Sequence, residues 1–172
     1  MDKFNIIVWV LPIVFMVHDF EEIIFFKPCI QKNGMYIKER FPFLTKLFDR
    51  LEHLSVPAFS IAVFEEFVLL SLVTFVSVML GYYNVWLALF MAFFIHIIIH
   101  IIQWVILSRY IPAIVTSILV LPYCIFGFIS IITIFSLPEI LIWTAIGLLI
   151  MILNLYFAHF LASKFNKKFY QL

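Results

Sequence analysis

The sequence is poor in charge. Lys, Arg, Asp and Glu make up 12% of its 172 residues and nearly cancel, leaving a formal net charge of +1. A soluble domain carries about a quarter charged residues. Without a basic excess there is no electrostatic footprint for nucleic acid, and none is expected as a partner. Cysteine is nearly absent: Cys29 and Cys124 have neither zinc nor redox spacing and suggest no disulfide framework. Repeats and low-complexity tracts are lacking. No small-residue cleavage site follows the first apolar run, so that run reads as a retained helix rather than a signal peptide. What fills the space is hydrocarbon: 66% of the residues are apolar and the mean hydropathy is +1.17. A core of this size cannot enclose that much apolar surface, so an integral membrane protein with the lipid bilayer as partner is expected.

Apolar stretches of at least about 18 residues read as spanning helices, and five are found, near 4–26, 56–80, 84–108, 111–136 and 138–162. Gly81 with Asn84, Arg109 with Pro112, and Pro138 with Glu139 punctuate the later ones. The expected fold is all-α, a single domain over 1–172: a polytopic bundle of about five transmembrane helices with short turns between neighbours. Pro12 and Pro122 fall inside spans, where neighbouring helices can satisfy the freed carbonyls. The one long connection is 27–55. Its second half, "FPFLTKLFDRLEHL", places Leu44, Leu47, Phe48, Leu51 and Leu54 on one helical face, as in an amphipathic helix lying in the membrane interface. With five spans, ten of the eleven Lys and Arg residues share the side of that loop, and Lys3 stands alone opposite. The positive-inside rule then places the N-terminus outside and the C-terminus in the cytoplasm, in the cytoplasmic membrane.

Against that background the stretch "VHDFEE" stands out. Ionisable residues inside spans are costly and are usually paired or functional. They recur here: His18, Asp19, Glu21 and Glu22 in the first span, Glu65 and Glu66 in the second, His96 and His100 in the third, and His159 in the fifth. At a rise of about 1.5 Å per residue, His18 and His100 lie about 12 Å from the cytoplasmic ends of their helices, and Glu65 and Glu66 about 14 Å. Asn154 falls at a similar level. The polar residues therefore occupy one slab, from the cytoplasmic interface to the midplane. His18 shares a face with Glu21 and Glu22, and His96 with His100. Such a mix of imidazoles and carboxylates suits zinc, iron or manganese. The same cluster also fits a metal-free proton or ion path, or structural pairing of acids with imidazoles.

His18-Asp19-Phe20-Glu21-Glu22 matches a His-x-x-Glu-Glu signature, and the chain resembles the HXXEE domain family of small membrane proteins. The family also carries a further histidine, for which His96, His100 and His159 are candidates, and a Tyr-x-Pro-Gly motif. Tyr110-Ile111-Pro112-Ala113 is similar to that motif, with Ala113 in place of Gly. The resemblance implies a membrane protein and brings no established activity. A weaker resemblance is to intramembrane proteases of the CAAX-processing class, through Glu65-Glu66, His96, His100 and Asn154. The arginine that follows the Glu pair in that class is absent, and Ala92 stands where its Phe precedes the histidine. It serves as an analogy for chemistry.

The expectation from these residues is a membrane-embedded metal-dependent enzyme, a hydrolase or a di-metal oxygenase, acting on a lipid or membrane peptide. Its candidate ligands to a divalent metal, zinc or iron, are His18, Glu21, Glu22, His96, His100 and His159. Glu65 or Glu66 would be the bridge or base. Asp19, Asn154 and Tyr110 would support the ligands from behind. The alternative is a proton, cation or metal carrier, or an accessory subunit. The outer half of the bundle offers only residues such as Thr74, Ser77 and Thr133 for a path, which favours a one-sided pocket.

Overall fold

A backbone surrounded by hydrocarbon must pair its N–H and C=O groups within its own segment, and the helix does this for a single chain. The computed structural model, which describes residues 3–170, is built accordingly. Its elements are α1 (Lys3–Arg40), a 3-10 turn (Pro42–Leu44), α2 (Thr45–His53), α3 (Val56–Leu80), α4 (Asn84–Leu107), α5 (Ile114–Ile134) and α6 (Leu137–Tyr170). No strand occurs among the described residues, and the fold is all-α as expected. Four helices are long and apolar enough to cross a membrane: α3, α4, α5 and α6 through Phe169. They cover four of the five expected segments. The fifth, 4–26, is the first part of α1, which carries the ionisable motif and is not among the four.

The helix ends follow local chemistry. Ser55 caps α3, its hydroxyl accepting from the Ala58 N–H at 3.2 Å. Gly81 ends that helix with a φ of 64°, in the left-handed region that glycine enters at least cost. Glu139 accepts from the Ser136 N–H and hydroxyl at the start of α6, at 2.8 and 2.6 Å.

The first half of 27–55 differs from expectation. It is helix rather than loop, because α1 continues through Pro28 as far as Arg40; the second half is helical as expected, α2 following the 3-10 turn. Lys27, Gln31, Lys32 and Asn33 make 27–40 read as polar, yet tertiary packing holds it. Phe26 and Ile30 pack with Leu54, Ala58, Ala62, Ala158 and Ala162, joining α1 to α3 and α6. Polar ties fasten α2 to α1: the Lys38 ammonium lies 2.7 Å from both Asp49 and Glu52, and Lys27 donates to the Glu52 carbonyl at 2.6 Å. Asp49 and Glu52 hold the Lys38 pKa above its ordinary value. Likewise α6 runs on past 162 to Tyr170.

The interior centres on α4, where Trp86, Leu87, Ala88, Phe90 and Ile97 are fully buried. Between lipid-facing helices the drive is close packing rather than expulsion of water, so small residues matter. Gly147 of α6 lies so close to α4 that a Cβ there would overlap the Ala88 carbonyl. α1 is tied to α5, whose Tyr123 hydroxyl donates to the Ile7 carbonyl at 2.8 Å.

Candidate metal centre

His18 and Glu22 are one turn apart on α1, as are His96 and His100 on α4, so each pair shares a face. The two faces meet. One donor atom from each of the four residues lies within 4.8 Å of every other. His100 Nε2 is 2.9 Å from Glu22 Oε1 and 3.0 Å from His96 Nε2. The His18 ring stands nearly edge-on to those of His96 and His100, with centroids 5.3 and 5.2 Å away.

Counting protons shows what such a group lacks. A single N–H on His100 Nε2 would have to serve both a carboxylate and a neighbouring imidazole nitrogen. The buried His18 Nε2 has no hydrogen-bond partner at all, and leaving a buried polar atom unpaired costs about 1–3 kcal/mol. A cation among the four would take lone pairs from all three nitrogens and from Glu22, removing both defects. Donors held at about 2.1 Å from a tetrahedral ion lie about 3.4 Å apart, inside the range of separations here. Three imidazoles and a carboxylate fit zinc, and equally iron. The group is thus close enough, and of the right chemistry, to hold a metal.

The tautomer of His18 follows from its other nitrogen. Thr116 of α5 places its Oγ1 2.6 Å from Glu21 Oε2 and 3.3 Å from His18 Nδ1. The hydroxyl proton goes to the carboxylate, so Oγ1 accepts from His18 Nδ1–H, and the Nε2 lone pair is left facing the cluster. Such a partner behind a ligand orients the ring and fixes its proton. Thr116 was not singled out from sequence. A threonine in the first turn of an apolar span carries no signal until α1 is seen beside it.

Glu21 therefore stands apart from its neighbour. Its carboxylate accepts from the Tyr110 hydroxyl and the Thr116 N–H, each at 2.7 Å, from the Val115 N–H at 3.3 Å, and from the Thr116 hydroxyl. These donors occupy both oxygens at the N-terminus of α5, where a negative charge is favoured, and Glu21 is not one of the four clustered residues. Burial, and then the bond to Glu21, hold the Tyr110 phenol well above its ordinary pKa, so it remains a donor. Expected as a ligand from its i,i+3 spacing, Glu21 bonds here to Thr116, whose hydroxyl oxygen also lies 3.3 Å from His18 Nδ1. Tyr110 sits behind Glu21.

Two cavities flank the cluster. One of about 200 Å³ is lined by Asp19, Glu22, Glu66, His96, Asn154 and His159 among apolar residues such as Phe15, Leu70 and Phe93. The other, of about 560 Å³, is lined by Glu22, His100 and His159 and by apolar residues such as Phe41, Leu44, Leu47 and Leu51. His159 thus borders both cavities, but it is not in the four-residue group. Glu66 faces the smaller cavity. Glu65 is held by Asn154, which donates to its Oε2 at 3.0 Å. Asp19 is buried, and its Oδ2 has no partner.

Residues 9–127 match the family described as "Protein of unknown function with HXXEE motif". The chain belongs to the HXXEE family. The matched stretch contains the motif residues His18, Glu21 and Glu22, and also His96 and His100, so the whole four-residue cluster lies within it. No curated protein and no solved structure matches the chain.

Proposed function

We propose that this HXXEE chain is a metal-dependent enzyme of the membrane that acts on a lipid or a membrane peptide from the cytoplasmic side. The observation that carries this reading is the convergence of His18, Glu22, His96 and His100. In it α1 is a fifth span, α2 lies in the cytoplasmic interface, and the basic residues of 27–55, Arg109 and the C-terminal segment face the cytoplasm. The larger cavity supports an apolar substrate: His100 and Glu22 line it together with Leu47, Phe48 and Leu51 of α2, and its volume falls within the about 300–1,000 Å³ usual for small-molecule sites.

A bound zinc would supply Lewis-acid activation of water, and bound iron would supply oxygen chemistry. His18, Glu22, His96 and His100 would hold the ion. Glu66, facing the same cavity as Glu22 and His96, takes the proton in the hydrolytic version. Glu65, fixed by Asn154, and His159, at the junction of the cavities, orient the substrate's polar end. The apolar lining excludes bulk water.

Elemental analysis of the detergent-purified full chain tests the reading, beside His18→Ala and His100→Ala. Stoichiometric zinc or iron, lost in both variants, is the expected outcome. Metal at background in protein prepared without chelator would sink the enzyme proposal.

A second reading, a proton or cation carrier, draws on α3. Beyond Glu66 the Ser71 and Thr74 hydroxyl oxygens are buried and unpartnered, and Ser77 is buried one turn further. In that reading these oxygens extend the polar cluster toward the opposite membrane face. Proton flux into liposomes that is lost in Thr74→Val would favour it, and no flux above empty liposomes would dismiss it.

A further inference from the structure

A second polar site lies on the outside of the bundle, where the turn between α4 and α5 meets the second half of α1. We infer that Arg109, Lys32 and Asn33 bind the phosphate of an anionic phospholipid. Arg109 is held ready for an anion that the chain itself does not provide. Its guanidinium carbon sits 3.9 Å from the centre of the Tyr36 ring, a cation–π distance, and its Nη1 donates to Asn33 Oδ1 at 3.5 Å. Asn33 is buried and is fixed in turn by donating to the Tyr110 carbonyl at 3.3 Å. Among the described residues no carboxylate pairs with Arg109 or with Lys32, whereas Lys38, on the same helix, has two. Stacking and one neutral hydrogen bond orient the guanidinium fork and leave its charge uncompensated. That is the state in which a fork best takes two oxygens of one phosphate.

The residues enclose a cavity of about 350 Å³. Lys32 and Arg109 stand on its rim, and Phe25, Pro28 and Cys29 form its apolar side. The apolar side distinguishes a lipid from a free phosphate. Phe25, packed edge-on against Tyr110, continues into Ile24 and Phe20, all exposed on the outer surface of α1. A headgroup seated at Arg109 would lay its acyl chain down that stripe. Basic pockets beside spanning helices bind anionic headgroups in this manner. None of these residues belongs to the His/Glu cluster, so the inference stands or falls separately from the metal proposal.

Native mass spectrometry of the detergent-solubilised full chain tests it, with dioleoyl phosphatidylglycerol and dioleoyl phosphatidylcholine added in equal amounts. The expected result is preferential retention of phosphatidylglycerol. Arg109→Gln and Lys32→Gln should each lower that retention about fivefold, and phosphatidylcholine should be unaffected. Arg109→Lys, which keeps the charge and loses the stacked fork, should fall between wild type and Arg109→Gln. A thermal midpoint unchanged from wild type establishes that the variants are folded. Equal retention of the two lipids, or unchanged retention in both Gln variants, would overturn the site. Displacement of phosphatidylglycerol by inorganic phosphate at equal concentration would overturn the lipid in favour of a free anion.

Discussion

Glu21 and Glu22 are adjacent in sequence, yet about 100° separates them around the helix, and that angle sends them to different partners. Glu22 joins the cluster, while Glu21 reaches α5 and meets Thr116, whose hydroxyl lies beside His18 Nδ1. Their substitutions should therefore separate. Glu22→Ala is expected to abolish stoichiometric metal. Thr116→Val, which cannot accept from His18 Nδ1–H, should keep the stoichiometry at saturating metal but weaken affinity about 10–100-fold. Chelator competition on the purified proteins measures both, and equal affinities for Thr116→Val and wild type would remove Thr116 from its supporting role. At this scale the pairing of His18 with Glu22 and of His96 with His100 was legible, because i,i+4 spacing and depth both follow from sequence. The division of labour between the two glutamates was not. It depends on which neighbour each one meets, and sequence spacing carries no record of that.

At the level of the helices, the carboxylate of Glu21 serves α5 as a cap from another element. Ala113, which precedes Ile114, is in the left-handed region at φ 69° and has no side-chain cap of its own. Replacing Glu21 by Ala would leave the Val115 and Thr116 N–H groups without that acceptor, and losing such a cap costs about 0.5–2 kcal/mol. A lower thermal midpoint should result, and a midpoint equal to wild type would show that water replaces the carboxylate. Gly81→Ala should also destabilise, by about 1–2 kcal/mol, although nothing lies near the added methyl, because a left-handed φ is strained for any residue with a Cβ. The end of α3 was legible for this reason: Gly81 is a stop signal in its own right. The end of α1 was not. Pro28 and a polar run imitate a boundary, while the packing of Phe26 and Ile30 and the ties of Lys27 and Lys38 come from residues further along the chain.

For the molecule as a whole, the close approach of α6 to α4 at Gly147 governs more than stability, since α4 carries His96 and His100 while α6 carries Asn154 and His159. Gly147→Val would press against the Ala88 carbonyl, and overpacking of this kind costs about 1–3 kcal/mol. Loss of thermal stability together with weakened metal retention is expected; weakened stability with metal affinity intact would show that the cluster tolerates a shift of α6. The proposed orientation is checked by reporter fusions at the two termini, with a cytoplasmic signal expected only at the C-terminus.

α1 has a further consequence. Its 38 residues make a rod about 57 Å long, against about 30 Å for the hydrocarbon layer. No break separates Glu22 from Lys38, where α2 is tied on by Asp49 and Glu52. The rod therefore carries both groups on one continuous element: the residue that meets His100 and the residue to which α2 is fastened lie sixteen positions, or about 24 Å, apart along a single helix.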